Sequence, residues 1–253
     1  MHLIADNLHG LNPEAASAMK SMDPEPIREL VGRCEKAGAE FIDVNPGYLS
    51  RRNEDRMEFL VEVVQETTSA GLVLDSPNPR LLARGLAACR STPILNGLSL
   101  EPRKLEEILP LAVEHGTPLV ILLMDEVSFV PPSVEEKLAL ALDLRERALA
   151  AGMSAEDLIF DPVLPNLSWD DAYARVAQDI QTVRLLSSGA VFQEPTRTMA
   201  GLSNLRSGGR DRYPSRVEQV CLSMLAGAGL TYALANVLDV AVGETVRTIK
   251  LMS

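Results

Sequence analysis

The sequence contains few cysteines and no long apolar run, and each shortage excludes a class of protein. The three cysteines, Cys34, Cys89 and Cys221, lie far apart and are odd in number, which predicts a cytoplasmic protein with reduced thiols. No apolar run approaches the length of a bilayer-spanning helix. The first residues also lack a basic region followed by an apolar stretch, so no secretory signal is visible. We therefore expect a soluble protein that has no membrane partner.

Basic residues are also scarce. Lys and Arg number 24 against 35 Asp and Glu, which gives a formal net charge of −11. This balance argues against nucleic acid as a partner, because neutralising phosphates needs a basic surface, and it argues against an anionic membrane surface. The lysines all fall in predicted helices or in the loops beside them: Lys20, Lys36, Lys104, Lys137 and Lys250. A Schiff-base aldolase is therefore disfavoured, because that chemistry needs a lysine on a strand.

The apolar residues that are present follow an alternating pattern. Of the 253 residues, 46% are hydrophobic, which is enough for a substantial core. Short apolar runs, typical of strands buried on both faces, alternate with longer amphipathic segments that are typical of helices. About eight such units in a chain of this length predict an α/β fold, a (β/α)8 TIM barrel, with residues 1–253 as a single domain. The alternative is an open doubly wound sheet, which usually begins with a glycine-rich turn, whereas the first turn here has only Gly10.

The same pattern gives approximate bounds for the elements. The predicted strands cover residues 3–5, 41–45, 72–74, 94–95, 119–124, 158–160, 199–200 and 232–235. The predicted helices cover residues 24–37, 58–68, 80–89, 101–114, a long segment from 133, 169–186, 217–228 and 240–251. Ser133 and Glu136 have the spacing of a capping box, which predicts that the long helix begins at this point.

Nearly every predicted strand ends in aspartate or asparagine, where the catalytic residues of such barrels lie. These residues are Asp6, Asn7, Asp43, Asn45, Asp75, Asn78, Asn96, Asp125, Asp161, Asn204 and Asn236. Any one of them has a simpler explanation, because Asp and Asn are good turn formers and helix N-caps. Their recurrence at every strand end instead favours a hydrogen-bonding cup. Such a cup suits a neutral, nitrogen-rich heterocycle such as a 2-amino-4-oxo-pteridine, whose adjacent N–H and NH2 groups one carboxylate can accept together.

The sequence gives only weak evidence for a metal site or a phosphate-binding site. No His or Cys grouping has the spacing of a zinc site, and of the three histidines only His9 is placed to face the mouth of the barrel. A divalent cation held by Asp43, Asp75 and Asp161 stays open as an alternative, although we expect no bound metal. Residues 207–212, Ser-Gly-Gly-Arg-Asp-Arg, follow the seventh strand and indicate either a phosphate-binding loop or a flexible basic lid.

Several of these motifs together identify a family resemblance. The motifs are Phe41-Ile42-Asp43-Val44-Asn45, Leu74-Asp75-Ser76-Pro77-Asn78, Ile94-Leu95-Asn96, Leu111-Ala112-Val113-Glu114-His115-Gly116, Phe160-Asp161-Pro162-Val163-Leu164-Pro165 and Gly201-Leu202-Ser203-Asn204. In their order and spacing the chain resembles the methyltetrahydrofolate:corrinoid methyltransferases. These belong to the pterin-binding barrel group that also includes dihydropteroate synthase.

The resemblance implies a role for particular residues. The pterin ring would be held by Asp75, Asn96 and Asp161, and Asn204 would hydrogen-bond N5 of the folate. Asn204 is the residue to which the resemblance assigns the catalytic role. The further substrate-binding residues that it implies are Asp43 and Asn45 on the second strand, Gly201 and Ser203 in the Gly-Leu-Ser-Asn motif, and Arg212 beyond it.

The resemblance also implies an activity. The chain would move a methyl group between N5 of tetrahydrofolate and the cobalt of a cobalamin or other corrinoid. A separate corrinoid protein would carry that cofactor, and 5-methyltetrahydrofolate would be the folate product or donor. The direction of transfer is open, and the family habit implies a homodimer working in one-carbon metabolism.

Three alternative functions stay open. A dihydropteroate synthase would need a basic pyrophosphate site and a lysine on a strand, and the sequence shows neither. A catalytically silent folate-binding scaffold for a corrinoid protein and a carboxylate–metal enzyme are the other two. The sequence departs from the family at the end of the first strand, Asp6-Asn7-Leu8-His9-Gly10, and after Asn96. These changes bear on the corrinoid-facing side more than on the pterin-binding residues.

Overall fold

The computed structural model describes the whole chain except residues 50, 209–211 and 253 and the side chain of residue 52. Eight parallel strands form a closed barrel in chain order, and the last strand pairs with the first. The strands are β1 (His2–Ala5), β2 (Phe41–Val44), β3 (Gly71–Asp75), β4 (Ile94–Leu98), β5 (Leu119–Leu122), β6 (Leu158–Asp161), β7 (Arg197–Gly201) and β8 (Tyr232–Ala235). The prediction of a (β/α)8 barrel is confirmed.

Helices connect the strands and surround the barrel. They are α1 (Pro13–Ser21), α2 (Pro24–Lys36), α3 (Asp55–Thr67), α4 (Pro79–Ala88), α5 (Pro102–His115), α6 (Val134–Ala150), α7 (Ala172–Ser187), α8 (Arg216–Gly227) and α9 (Val240–Met252). Short 3-10 helices cover Arg51–Asn53, Ala155–Asp157 and Leu202–Arg206. No helix in the described part of the chain is long and apolar enough to cross a membrane.

Helix bounds agree with the sequence pattern except at the start of the chain. The predicted capping box is confirmed, since Ser133 Oγ accepts from the backbone N–H of Glu136 and donates to its carboxylate. Helix α1 was not predicted. Its buried face consists of Ala15, Ala18 and Met19, and two alanines give a weak apolar period. The helix begins because the Asn12 side chain caps it and Pro13 occupies its first turn.

The alternation of side chains along each strand separates two cores. One core lies between the strands and the helices, and the other fills the barrel interior with Ile4, Val73, Ile94, Val120, Ile159, Met199 and Tyr232. Because side chains alternate with a period of two, the next inward position on each strand lies two residues further on. Five of these positions are polar, and we call them the polar floor: Asp6, Asp43, Asp75, Asn96 and Asp161.

Candidate active site

The polar floor lies at the carboxyl ends of the strands, directly above the apolar interior of the barrel. Four of its side chains are buried, and that of Asp75 is half-buried. Parallel pairing places Asp75 beside Asn96 on the neighbouring strand. The barrel therefore brings together the three residues that the family resemblance assigns to a pterin ring, in one layer supported by the apolar residues beneath it.

Asn45 orients Asp75 from the loop after β2. Its Nδ2 donates to Asp75 Oδ2 at 2.7 Å, and its own backbone bonds on both sides to the loop after β1 through Leu8 and Gly10. That loop approaches closely at Gly10, where a Cβ would lie 2.9 Å from the carbonyl oxygen of Pro46. The loops after β1 and β2 thus hold the Asn45 amide in place, and that amide orients the Asp75 carboxylate. Such support is expected of a preorganised site.

Asp161 is oriented by its own turn. The backbone N–H of Val163 donates to Asp161 Oδ1 at 2.7 Å, and Val163 has a φ of 62°. A β-branched residue in this left-handed region is uncommon and costs free energy. The surrounding structure therefore holds the turn in this shape, and the turn holds the carboxylate.

Burial raises the pKa of each of three floor carboxyls. The pKa of Asp161 rises to about 7, although the Val163 N–H opposes the rise. The pKa of Asp75 rises to about 6, with the Asn45 hydrogen bond and the charge of Lys104 opposing. The pKa of Asp43 rises well above its usual range, first through burial and then through the charges of Asp75 and Asp6.

Asp43 stands apart from the other two carboxyls in its hydrogen bonding. Its Oδ1 is buried and has no hydrogen-bond partner among the described residues. With a raised pKa, Asp43 is the floor carboxyl best suited to carry a proton, whereas the Asn45 hydrogen bond and the charge of Lys104 lower the pKa of Asp75 and favour its ionised form. The floor therefore offers both a carboxylate acceptor and a neutral acid that can donate a hydrogen bond. No group of three or more His, Cys, Asp or Glu in the described part of the chain is arranged to hold a metal ion.

The second part of the site is the β7 rim, which we define as residues 202–208. Asn204 is exposed and Ser203 half-buried, whereas Gly201 beneath them is buried. A Cβ at Gly201 would lie 3.4 Å from Asn204 Nδ2, so the amide lies directly over the glycine. Because Gly201 is the inward position of β7, it has no side chain that would stand between Asn204 and the barrel interior.

Hydrogen bonds from neighbouring loops clamp the backbone of the β7 rim. The N–H of Leu167 donates to the carbonyl oxygen of Leu205 at 2.9 Å, and Asn166 Nδ2 donates to that of Ser207 at 2.6 Å. From the other side, Arg206 Nη1 bonds buried Glu218 of α8 at 3.3 Å. The exposed position of Asn204 is thus fixed through its chain neighbours.

Some residues at strand ends have the simpler role of turn formers. Asn78 caps α4, Asp125 accepts two backbone N–H groups within its own loop, and Asn236 receives a hydrogen bond from Asn7 at 2.6 Å. His9 accepts from the N–H of Leu11 at 3.2 Å, and the hydrogen bond lies within the loop after β1.

The structure also places the remaining predicted residues. Arg212 is exposed, and residues 209–211 of the predicted basic loop lie outside the described residues. The three cysteines are free, and burial raises the pKa of the Cys34 and Cys221 thiols to about 12. None of the eight strands carries a lysine.

Sequence reasoning missed the buried cations behind the site. Lys104, on α5, is buried, bonds Glu101 at 2.9 Å and favours the ionised form of Asp75. Lys137 and Asp179 form a fully buried ion pair between α6 and α7. A buried lysine on a helix has no local sequence signal, because a lysine among apolar residues is usually exposed through its flexible end.

Comparison with known proteins agrees with this geometry. The family described as "Pterin binding enzyme" matches residues 11–240. A methylcorrinoid:tetrahydrofolate methyltransferase of Eubacterium limosum is 26% identical over 231 residues, covering 90% of this chain and 82% of that protein. The dihydropteroate synthase of Xanthomonas albilineans in complex with 7,8-dihydropteroate has a TM-score of 0.69 at 16% identity, covering 99% of this chain and 92% of the other. The Yersinia pestis dihydropteroate synthase in a sulfonamide complex scores 0.68 at 17% identity, covering 99% and 93%. The structural likenesses establish the fold, and the family match establishes that this chain belongs to the pterin-binding enzymes.

Proposed function

We propose that this protein transfers a methyl group between N5 of tetrahydrofolate and the cobalt of a separate corrinoid protein. The observation that carries the proposal is the position of Asn204 directly over Gly201, beside a floor of carboxyl and amide groups. The named relative from Eubacterium limosum supports the same reaction class. The proposal covers transfer in either direction.

The polar floor would hold the pterin ring. Asp75 and Asp161 would each accept from ring N–H or NH2 groups, since a carboxylate accepts strongly from adjacent donors. Asn96 would pair with a neighbouring ring carbonyl or nitrogen, because an amide both donates and accepts. Asp43 and Asn45 would support them, Asn45 through its 2.7 Å bond to Asp75.

The β7 rim would act on N5 during the transfer. When N5 receives the methyl group from cobalt, the cobalt keeps the electron pair of the broken bond, and N5 loses its proton. In the reverse direction N5 keeps the electron pair and gains a proton as the methyl group leaves. The Asn204 amide can accept from a protonated N5 or donate to a neutral one. An interaction that strengthens as charge changes at N5 lowers the barrier more than uniform binding would.

The protein's other task is to align donor and acceptor. Displacement at a methyl carbon needs nitrogen, carbon and cobalt in line, and fixing that geometry removes much of the entropic barrier. The corrinoid protein would approach from the open side of the mouth, where Asn204 and Arg212 are exposed. We further propose that the protein acts in the cytoplasm as a homodimer and serves one-carbon metabolism.

Anaerobic spectroscopy of the cobalt tests the proposal. The protein is mixed with tetrahydrofolate and free methylcobalamin or a methylated corrinoid protein, and in a second reaction with 5-methyltetrahydrofolate and the reduced corrinoid. We expect a folate-dependent change in the cobalt spectrum in at least one direction.

Two other outcomes would contradict methyl transfer. Tetrahydrofolate binding with an unchanged cobalt spectrum would select the silent scaffold. Formation of dihydropteroate from a dihydropterin pyrophosphate and p-aminobenzoate would select a synthase, despite the absence of lysine from the eight strands. Chelator treatment serves as a control, since the proposed chemistry of this chain uses no resident metal.

A further inference from the structure

A buried ion pair lies directly behind the turn that carries Asp161. Lys137 of α6 is 1% exposed and Asp179 of α7 is 0% exposed, and their side chains are bonded to each other. Lys137 Nζ also donates to the carbonyl oxygen of Pro162 at 2.8 Å. Burying two opposite charges rarely increases stability over an apolar pair of the same size, so the pair calls for another explanation.

The Pro162 carbonyl connects the ion pair to the floor. Pro162 stands between Asp161, which accepts from the Val163 N–H, and Val163 itself, whose φ is 62°. A proline has no N–H, so its carbonyl is the only backbone hydrogen-bonding group by which this residue can be held. The bond from Lys137 therefore anchors the centre of a turn that is costly for the chain to adopt.

We propose that Lys137 and Asp179 are positioning residues that hold the Asp161 carboxylate in the orientation that binds a pterin. The inference rests on the proposed role of Asp161 in pterin binding, and it assigns the two helix residues different parts. Lys137 fixes the geometry of the turn through the Pro162 carbonyl. Asp179 neutralises Lys137 and sets the charge that Asp161 faces.

The charges around Asp161 give the proposal a distinctive signature. The groups that face Asp161 are Asp179 of α7, Lys137 of α6 and Asp75 of β3. After burial, which is the largest cause, the charge of Asp179 raises the pKa of Asp161, whereas that of Lys137 lowers it. Replacing Asp179 by asparagine leaves an oxygen for Lys137 and removes one negative charge. The pKa of Asp161 then falls, and pterin binding persists to lower pH.

The experiment measures the Kd for tetrahydrofolate by anaerobic calorimetry between pH 5.5 and 8.5. For the wild type we expect a constant affinity at high pH and a loss of affinity below about pH 7. For Asp179→Asn we expect the same high-pH affinity and a midpoint lowered by about half a pH unit or more. For Lys137→Met we expect an affinity at pH 8.5 that is weaker by about tenfold, because the Pro162 carbonyl loses its donor.

Arg145→Met is the matched control, because it removes another cation of α6. Arg145 pairs with Glu194 at 2.7 Å and lies over the ring of Phe192, which stacks on Phe160 of β6. It therefore packs behind the same strand without touching the Asp161 turn. We expect this variant to keep the wild-type affinity and midpoint, even where its melting temperature falls.

The outcomes separate this inference from the proposed function. Wild-type affinity at pH 8.5 in folded Lys137→Met, or an unmoved midpoint in Asp179→Asn, overturns the inference. Where Lys137→Met does not fold, the midpoint of Asp179→Asn decides alone. Tetrahydrofolate binding by the wild type without methyl transfer contradicts the transferase and leaves this test intact. A wild type that binds no tetrahydrofolate overturns both.

Discussion

The polar floor and the β7 rim are built in opposite ways. Four of the five floor side chains are buried, and the pKa values of the Asp43, Asp75 and Asp161 carboxyls are raised. The β7 rim contains a short 3-10 helix. Its key side chain, that of Asn204, is exposed, and its backbone is held by hydrogen bonds from a neighbouring loop. A largely buried layer of fixed carboxyl and amide groups suits the specific binding of one ligand. An exposed amide on a fixed backbone suits a reaction step during which a second protein must approach the bound ligand.

The largest effect should come from removing a floor charge. We expect Asp161→Asn to weaken tetrahydrofolate binding about 10- to 100-fold, because a hydrogen bond to a charged group contributes about 1.5–3 kcal/mol. Calorimetry of the folded variant measures this loss. Asp125→Asn is the matched control, since Asp125 also follows a strand but its carboxylate accepts backbone N–H groups of its own loop. An affinity within threefold of wild type in Asp161→Asn would remove this residue from the pterin site.

A change at the β7 rim should separate turnover from binding. We expect Asn204→Ala to lower kcat by about 10- to 100-fold while changing the Kd for tetrahydrofolate by less than threefold, because the amide acts chiefly as charge develops at N5. Steady-state cobalt spectroscopy gives kcat, and calorimetry gives the Kd. Ser207→Ala, in the same segment and exposed, should leave both unchanged. If the Kd for tetrahydrofolate rose by the same factor as kcat fell, Asn204 would be a binding residue like those of the floor.

Lowering the pH should have two opposite effects: it should weaken tetrahydrofolate binding and stabilise the ligand-free protein. Because Asp161 must be ionised to accept from the pterin, the Kd should rise about tenfold per pH unit below its pKa of about 7. The ligand-free protein should become more stable over the same change. A carboxyl whose pKa is raised by folding binds its proton more tightly in the folded state, so its stabilisation is lost as pH rises from about 4 to about 7.

Thermal unfolding checks the second effect. We expect the melting temperature of the ligand-free protein to be higher at pH 5.5 than at pH 8, and Asp161→Asn to reduce that difference. Saturating tetrahydrofolate should reverse the order, since it binds the ionised form. A melting temperature that rises with pH in the ligand-free wild type would contradict the raised pKa values of the floor.

The floor was predictable from sequence to a large extent, for a geometric reason. Parallel strands of a barrel end at the same face, so an aspartate or asparagine at each strand end predicts a shared layer without knowledge of any distance. Asp75, Asn96 and Asp161 lie in that layer. The same rule included Asn78 and Asp125, which cap or turn the backbone. The sequence pattern shows that a residue lies near the end of its strand. Whether its side chain points into the barrel depends on how far the strand extends, because side chains alternate between the two faces.

The support behind the floor was not predictable. Lys137 and Asp179 are 42 residues apart on two helices, and each fits the pattern of an ordinary surface charge. Their pairing depends on how α6 and α7 pack against β6, which no local period records. Arg206 of the β7 rim and Glu218 of α8 are a second case, since the packing of the 3-10 helix against α8 brings them together. Contacts between distant segments thus decide how rigid each part of the site is.

The smallest effect should come from the outer edge of the mouth, at Arg212. Its side chain is exposed, and an exposed charge contributes about 0–1 kcal/mol to an ionic contact. We therefore expect Arg212→Ala to raise the KM for tetrahydrofolate about two- to fivefold at low salt and to leave kcat unchanged. In the wild type, added salt should raise KM toward the value of the variant, because salt screens exposed charges. Arg216→Ala, which removes an exposed arginine at the start of α8, should behave as wild type. A loss as large as that of Asp161→Asn would mean that Arg212 is buried by the ligand and belongs functionally with the polar floor.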